Sequence, residues 1–212
     1  MFADRHAAGS ELAQALLHLR GRDPLVLALP RGGVPVAAPV ARQLGAPLDV
    51  VLVRKIGAPW SAEVGIGALV EGEPDEVVWL DRGTPPLNAD YLEAAVECQR
   101  TVLAQRRQRY RGGRPLPSLT GRTVIVVDDG IATGSTVRAA LQALRGKDVA
   151  YLVLAVPVAP RDVVEALRAQ VDELVCLRTP QPFHAVGLHY RDFAQLEDAA
   201  VLDELAAWQG GG

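Results

Sequence analysis

The stretch VIVVDDGIATGSTVRAAL, residues 124–141, is the part of the sequence that decides the fold. Four β-branched residues lead into two adjacent acids, and a short turn rich in glycine and hydroxyl groups then opens a segment with helical periodicity. A turn of this kind, at the carboxyl end of a buried parallel strand, lies where open α/β sheets bind their ligands. The stretch therefore predicts a strand, a ligand-binding turn and a helix in direct succession.

The turn has the features of a site for a single phosphate group. Thr133, Ser135 and Thr136 supply hydroxyl donors, and the first turn of the following helix presents unpaired N–H groups and a partial positive charge. The lysine of a P-loop and the glycine spacing of a dinucleotide fingerprint are both absent from the turn, which argues against nucleoside triphosphates and dinucleotides. The pattern predicts a cradle for a monophosphate.

The two acids before the turn call for a different ligand group. Asp128 and Asp129 would repel a phosphate, but they suit the vicinal hydroxyls of a sugar or a divalent cation. A phosphate with a diol beside it describes a phosphorylated ribose. A solvated strand end followed by an ordinary helix-capping turn is the alternative interpretation of these residues.

Apolar runs elsewhere in the chain extend this unit into an α/β fold. Continuous apolar runs are typical of strands buried on both faces, and strands that alternate with helices predict a parallel sheet with right-handed crossovers. Five such runs are rich in Val and Leu: Leu25–Leu29, Leu48–Val53, Val124–Val127, Tyr151–Val156 and Leu174–Leu177.

Helical periodicity between these runs predicts the covering layers. The first helix would be capped at Ser10, the second would end at Gly45, and Pro39 would kink that second helix or confine it to its later turns. The predicted helices are Ser10–Leu19, Val34–Leu44, Ser135–Leu144, Arg161–Val171 and Asp198–Trp208.

Two segments depart from the alternating pattern. Residues Glu63–Asp81 alternate in polarity and predict a hairpin that turns at Gly72–Asp75. Asn88–Tyr110 predicts one long helix, packed as an appendage or a lid, with an apolar stripe of Leu92, Val96, Val102 and Leu103. With this insertion at about 88–115 and a variable hood at about 178–195, residues 1–212 are expected to form one domain.

Composition limits the class of protein. The chain has 212 residues, of which 49% are hydrophobic, so it can bury a core without disulfides or metals. Its 22 Lys and Arg against 25 Asp and Glu give a net charge of −3, which argues against nucleic acid as the main partner.

Location is predicted from what the sequence does not contain. Charges at Asp4, Arg5 and Glu11 interrupt any signal-peptide core, and no apolar run is long enough to span a membrane. Cys98 and Cys176 are expected to be buried free thiols. These features predict a cytoplasmic protein.

The central stretch resembles the binding motif for 5-phosphoribosyl 1-diphosphate (PRPP) in type I phosphoribosyltransferases. The resemblance implies their α/β fold, with a central, mostly parallel sheet flanked by helices and a small hood, to which this chain adds the long helix. It also implies that the acids hold the ribose hydroxyls and that residues 132–136 wrap the 5-phosphate. The ribose and phosphate site would comprise Asp128, Asp129, Gly130, Ile131, Ala132, Thr133, Gly134, Ser135 and Thr136.

A second stretch, LALPRGGVPVAAPVARQLGAPLDVVLVRKIGAP at residues 27–59, is similar to the diphosphate loop, helix and next strand of adenine-type members. Arg31 precedes two glycines that let the backbone approach an anion closely. Arg54 and Lys55 are expected at the same sheet edge. Three unrelated surface cations are the alternative. The predicted diphosphate site is Arg31, Gly32, Gly33, Arg54 and Lys55, with Arg31 and Lys55 also expected to be catalytic.

The resemblance also implies a reaction. In this family the bond from C1 to diphosphate breaks through an oxocarbenium-like state while a nitrogen nucleophile attacks the opposite face. Mg²⁺ accompanies PRPP, with Asp128 and Asp129 as candidate protein ligands. Adenine-type members use a glutamate after the Arg–Lys pair, for which Glu71 is the closest match and Glu63 the next. A solvated hairpin carboxylate is the alternative for Glu71.

The acceptor pocket is expected in the hood. Residues 180–193 are weakly similar to the hypoxanthine-guanine hood, and Phe183 and Tyr190 are candidates for stacking on a base. Aromatic residues that merely cap the core fit equally well. His184 and His189 are not predicted to bind zinc, and Trp60 is expected to act as a lid or in a dimer contact.

The leading hypothesis is an enzyme of nucleotide salvage, a homodimer that transfers phosphoribose from PRPP to a purine or pyrimidine base. One alternative is a non-catalytic regulator that binds PRPP without turnover. A pyrophosphokinase-like protein that makes PRPP and a domain that binds another sugar phosphate are the remaining alternatives.

Overall fold

The computed structural model describes residues 1–71, 77–80 and 86–209. It contains a five-stranded sheet and a separate three-stranded sheet, with helices packed around them. In chain order the elements are α1 (Arg5–Ala15), β1 (Pro24–Ala28), α2 (Gly33–Leu44), β2 (Leu48–Val50), β3 (Val53–Ala58), β4 (Ser61–Val70), β5 (Val77–Leu80), α3 (Ala89–Arg111), β6 (Thr123–Val127), α4 (Ser135–Arg145), β7 (Tyr151–Val158), α5 (Arg161–Arg168), β8 (Glu173–Arg178) and α6 (Asp198–Gln209).

The five-stranded sheet has the order β2-β1-β6-β7-β8, and every neighbouring pair is parallel. Alternate residues of β1 enter different cores. Val26 and Ala28 pack with α1 and α2, whereas Leu25 and Leu27 pack with α4 and α5. Burial on both faces explains why the strands are continuous apolar runs, and it confirms the predicted parallel α/β architecture.

The three-stranded sheet is antiparallel, in the order β3-β4-β5. The predicted hairpin is confirmed in its strands, since Val70 pairs with Val77, and its predicted turn at 72–75 lies outside the described residues. The predicted strand Leu48–Val53 is wrong as a single element. After Val50 the chain leaves the parallel sheet, and Val53 begins β3 of the second sheet.

Most predicted helices are confirmed, including the long α3, whose cap Asn88 accepts from the Asp90 amide at 2.7 Å. The first helix needs correction. It begins at Arg5 because Asp4 caps it, and the Ser10 hydroxyl donates to the His6 carbonyl at 3.0 Å within the helix. Helix α2 covers its full predicted length with Pro39 inside, so it is not confined to its later turns, and the alternative of a kink at Pro39 stays a prediction.

The hood is fastened to the N-terminus. Phe2 donates its amide to the His189 carbonyl at 2.8 Å, and the amide of Arg191 donates to the Phe2 carbonyl at 2.9 Å. Phe2 and Tyr190 are buried together in a small apolar cluster. This attachment brings the start of α1 to the carboxyl edge of the parallel sheet, where β6 ends.

The structure bears on two further expectations, the absence of a membrane-spanning segment and the burial of the two cysteines. Within the described ranges, no helix is both long and apolar enough to cross a bilayer. Both cysteines are free, as predicted, but Cys98 is exposed on α3 and Cys176 is half-buried, so the predicted burial of Cys98 is wrong.

Candidate active site

The turn between β6 and α4 forms a cavity of about 180 Å³. Gly130 is required there, since a Cβ would lie 2.5 Å from Val186 Cγ1, and Gly134 caps α4 at a φ of +78°. The Thr133 and Ser135 hydroxyls are 3.2 Å apart. The cavity is lined by Lys55, Asp128, Gly130, Ile131, Ala132, Thr133, Gly134, Ser135, Thr136 and Val137.

The first bond within α4 runs from the Arg138 amide to the Gly134 carbonyl, at 2.8 Å. The amides earlier in the first turn therefore have no partner within the helix. They point, with the helix dipole, toward the end at which the cavity lies. This end of α4 can hold a small anion.

The two acids lie at the carboxyl end of β6, and both are half-buried. The Asp129 amide donates to Asp128 Oδ1 at 2.9 Å. Burial, reinforced by the charge of Asp129, raises the pKa of Asp128 well above its ordinary value. Burial also raises the pKa of Asp129, although Arg5 opposes that shift. A hydroxyl or cation from a ligand would stabilise the charged forms.

The loop before α2 is in direct contact with this strand end. A Cβ on Gly32 would lie 1.9 Å from Asp129 Oδ2, and one on Gly33 would lie 2.6 Å from the Val127 carbonyl oxygen. The Pro30–Arg31 peptide bond is cis. The two glycines thus allow the loop that carries Arg31 to reach the acids.

A second cavity, of about 430 Å³, lies beside Asp129. Its cations are Arg31, whose Nη1 is 3.8 Å from Glu197 Oε2, and Arg5, whose Nε donates to Asp129 Oδ2 at 2.8 Å. The acids therefore stand between a phosphate-sized cavity and an arginine-lined one. The second cavity is lined by Arg5, Arg31, Gly32, Asp129, Phe193, Gln195 and Leu196.

The predicted Arg–Lys pair is divided between two faces of β3. Lys55 lines the first cavity. Arg54 instead donates to Gln99 Oε1 of α3 at 3.0 Å, and its pKa is lowered by burial and by the nearby charge of Arg106. The structure thus brings Lys55 and Arg31 to the acids and directs Arg54 to α3.

Glu71 lies in the protein interior, 2% exposed, and its carboxylate is paired with Arg111 at the end of α3. Asp49 of β2 is also near, with Oδ1 at 3.8 Å from Arg111 Nε. Burial raises the pKa of Glu71, while Arg111 opposes the shift. Glu63 lies in β4, and its side chain is outside the described part of the structure.

The hood aromatics occupy different environments. Tyr190 is 5% exposed, between Phe2 and Phe193, and its hydroxyl donates to the Asp129 carbonyl at 2.5 Å. Phe183 is half-buried and stacks on His189, with ring centroids 5.3 Å apart. Trp60 is 59% exposed, between β3 and β4. Tyr190 is thus directly connected to Asp129, through its backbone carbonyl.

Sequence reasoning missed Arg5 and Phe193 as members of this site. Arg5 is 124 residues from Asp129 along the chain, and its sequence neighbours carry no ligand-binding pattern. The only signal available was the charge that argued against a signal peptide.

Comparisons with known proteins show the family to which this chain is similar. A family model described as the phosphoribosyl transferase domain matches residues 4–191. Two Mycobacterium tuberculosis proteins, from strains CDC 1551 and H37Rv and provisionally named phosphoribosyl transferases, are 47% identical over 206 residues. The match covers 95% of this chain and 46% of each relative, so the chain spans about half the length of the curated relatives it matches.

Solved structures extend the comparison to the whole fold. The crystal structure of TT1426 from Thermus thermophilus superposes with a TM-score of 0.86 at 45% identity, covering 98% of this chain and 99% of that one. AQ2163 from Aquifex aeolicus gives a TM-score of 0.52 at 12% identity, covering 96% of this chain and 85% of that one, and shows the fold alone. Because the family model covers residues 4–191 and the M. tuberculosis relatives match almost the whole chain, this chain belongs to the phosphoribosyl transferase domain family.

Proposed function

We propose that this protein transfers the 5-phosphoribosyl group of PRPP to a nitrogen atom of a purine or pyrimidine base and releases diphosphate. One observation carries the proposal: the carboxylates of Asp128 and Asp129 stand between a cavity of about 180 Å³ and an arginine-lined cavity of about 430 Å³. The chemical groups of PRPP follow the same order, because its ribose hydroxyls lie between a 5-phosphate and a diphosphate.

The proposed assignment of groups follows from charge. The 5-phosphate would occupy the smaller cavity, bound by the amides and hydroxyls at the start of α4. The ribose hydroxyls would donate to the acids, and the diphosphate would lie beside Arg31, with Lys55 at the mouth of the phosphate cavity. The larger cavity also offers room for the acceptor, next to Phe193.

The proposed reaction breaks the bond from C1 to the diphosphate oxygen, and the electron pair leaves with diphosphate. The lone pair of the acceptor nitrogen forms the new bond to C1, and the proton of that nitrogen passes to water or to the released diphosphate. Arg31 would stabilise the negative charge that develops on the leaving group, whereas Lys55, which lines the smaller cavity, would stabilise the 5-phosphate, and its predicted contact with the diphosphate stays a prediction. The cradle would hold the ribose in the geometry that lets the nitrogen attack.

Mg²⁺ is part of the proposal, and the acids fit it. No group of three or more His, Cys, Asp or Glu residues in the described ranges could hold a metal alone. Mg²⁺ commonly binds one or two carboxylates together with substrate phosphates, and Asp128 and Asp129 could supply those carboxylates. When bound it would neutralise charge on the diphosphate.

Other parts of the proposal rest on the resemblance. Glu71 stays a prediction as general acid or base, because its pair with Arg111 would have to open first. Phe183 and Tyr190 stay predictions for the acceptor pocket. The salvage role and the homodimer are likewise proposed from the family, and the cytoplasmic location is proposed from the sequence features given above.

Calorimetric titration of PRPP, with and without Mg²⁺, tests the proposal. We expect Mg²⁺-dependent binding that is tighter than that of ribose 5-phosphate, and diphosphate release when the right base is supplied. The double variant Asp128→Asn with Asp129→Asn should weaken PRPP binding by about a hundredfold or more, since charged acceptors are lost. The matched control is Asp148→Asn, an exposed acid in a different loop.

Each outcome separates the hypotheses. Binding with turnover supports the proposal, and binding without turnover of any base would favour the regulator. If wild-type protein binds neither PRPP nor ribose 5-phosphate, the proposed function is wrong.

A further inference from the structure

Arg5 is attached to the candidate site by three separate contacts. Its Nε donates to Asp129 Oδ2 at 2.8 Å, and its Nη1 donates to the Ala194 carbonyl at 3.0 Å. Its guanidinium also lies over the ring of Phe193, 3.8 Å from the centroid. The side chain is 11% exposed. These contacts hold the guanidinium in one orientation.

The same contacts restrict Asp129. Arg5 engages Oδ2, and the close backbone of Gly32 limits the space beside the carboxylate. Among the described residues no other side chain donates to Oδ1, and Asp129 lines the adjoining cavity, so we take Oδ1 as the oxygen that a ligand there would reach. A carboxylate held in advance loses less entropy when it accepts a hydroxyl than a freely rotating one does.

The chemistry of arginine suits this task better than that of lysine. A planar guanidinium can donate from two nitrogens in a fixed fork while stacking on an aromatic ring, whereas an ammonium group is a point charge on a flexible stem. Arg5 uses both properties, because it joins Asp129 to the hood through Ala194 and Phe193.

We propose that Arg5 is a positioning residue for ribose recognition, which fixes Asp129 so that its free oxygen accepts a sugar hydroxyl. This inference rests on the proposed function. It assigns to the N-terminal helix a share of the sugar selectivity that the PRPP motif by itself does not contain. Arg5 acts through Asp129 and takes no part in the bond changes.

The test is sugar selectivity, measured by calorimetry with ribose 5-phosphate, 2-deoxyribose 5-phosphate, 3-deoxyribose 5-phosphate and inorganic phosphate. Wild-type protein should bind ribose 5-phosphate about tenfold or more tightly than whichever of the two deoxy analogues binds less tightly. This is the usual effect on affinity of losing one charge-assisted hydrogen bond. In Arg5→Met this preference should fall to less than about threefold, while the affinity for inorganic phosphate stays unchanged. Arg5→Lys should give an intermediate preference.

The matched control is Arg178→Met. Arg178 also holds α1, through Glu11 at 3.0 Å, and it lies over the ring of Phe2 at 3.7 Å, but no contact joins it to the Asp129 carboxylate within the described ranges. This variant should loosen the N-terminus and keep the full preference for ribose. It thereby separates positioning of Asp129 from general support of the hood.

Three results would overturn the inference. Full selectivity in Arg5→Met would show that Arg5 does not act through Asp129, and tighter ribose binding would show that it obstructs the site. If Arg5→Met does not fold, Arg5→Lys decides, because a full preference in that variant also contradicts the inference. Wild-type protein that binds no sugar phosphate would instead overturn the proposed function first.

Discussion

Gly32 is the residue at which the two halves of the candidate site touch. Its φ of −60° is open to any residue, so backbone freedom does not explain it. Space does, because a Cβ would lie 1.9 Å from Asp129 Oδ2. The glycine therefore lets the Arg31 loop and the end of β6 meet without a gap.

We expect Gly32→Ala to push the Asp129 carboxylate or the loop out of place. PRPP affinity should fall about tenfold or more, and the free energy of unfolding should fall by about 1–3 kcal/mol, as for other overpacked sites. Titration of PRPP and chemical denaturation would measure both effects. The control is Gly146→Ala, with φ of −74° and a Cβ 3.6 Å from the Ala143 carbonyl oxygen, which should leave PRPP affinity unchanged. Unaltered binding in Gly32→Ala would contradict this account of the site.

Site residues are predictable from the sequence where the residues that act together are neighbours along the chain. Asp128 and the hydroxyl turn after it are contiguous, and the structure places both around one cavity. Arg5 and Asp129 meet only through the fold, so no local pattern marks their pair. The start of α1 is a related case: Asp4 and Ser10 are both good caps by residue type, and in the structure it is the Asp4 carboxylate that accepts from the Ala7 amide.

At the scale of elements, the end of α3 is joined to the second sheet by a buried ion pair. Arg111 is 3% exposed and Glu71 is 2% exposed. Glu71 Oε1 and Arg111 Nη1 have no hydrogen-bond partner among the described residues. A buried pair of this kind is costly to break, because Arg111 would keep its charge in the interior with only Asp49, 3.8 Å away, to offset it.

We expect Glu71→Gln to reduce stability by about 3–5 kcal/mol, because Arg111 keeps its charge in the interior. Activity per folded molecule should change little as long as the pair of Glu71 with Arg111 stays closed during the reaction. Thermal denaturation and initial rates below the melting temperature would measure the two effects separately. The control is Glu93→Gln, an exposed carboxylate on α3, which should alter neither quantity. Full stability with a slower chemical step would instead support the predicted acid–base role of Glu71.

Helix α6 is attached to α3 through Asp198, and this contact predicts a pH dependence. Tyr110 donates to Asp198 Oδ1 at 2.5 Å, and this bond, with Arg109, lowers the pKa of Asp198 below its ordinary value in the folded state. A lowered folded pKa means that the contribution to stability is complete above the unfolded pKa and is lost as pH falls through the folded value.

Wild-type protein should therefore be more stable than Asp198→Asn by about 1 kcal/mol at neutral pH. The difference in melting temperature should be constant between about pH 5 and 7 and should shrink below about pH 4, which thermal denaturation at several pH values would show. The control is Asp203→Asn, an exposed acid on the same helix, which should leave the melting temperature at neutral pH unchanged. A difference that grew on acidification would contradict the assigned sign.

Helices and strands are predictable from the sequence where their burial produces a regular pattern of apolar residues. The strands of the parallel sheet are continuous apolar runs because both faces are covered, and α3 was predicted from its stripe of Val96 and Leu103. The boundary between β2 and β3 was missed because the same apolar residues fit either sheet. Hydrophobicity alone does not show where a chain changes sheets.

In the whole molecule, the candidate site is assembled from distant parts of the chain. The loop before α2, the strand β3, the turn after β6 and the N-terminal residues fastened to the hood meet at one edge of the sheet. The sequence predicted the sheet and the turn because each has its own pattern. It could not predict how the hood closes over them, since Tyr190 and Phe193 lie outside any helix or strand.

This assembly predicts that a ligand would stabilise the molecule as a unit. At a hundred times its dissociation constant, PRPP with Mg²⁺ should add about 2.7 kcal/mol to the free energy of unfolding, or about 5–10 °C in melting temperature for a chain of this size. PRPP would touch residues 31–33, 130–136 and 189–193, so amide exchange should slow in all three ranges when it binds. Ribose 5-phosphate lacks the diphosphate, so it should protect residues 130–136 more than residues 31–33. Differential scanning calorimetry and hydrogen exchange by mass spectrometry would measure the two effects. Protection confined to the turn after β6 would mean that the arginine-lined cavity takes no part in binding PRPP, and the assignment of the diphosphate to it would be wrong.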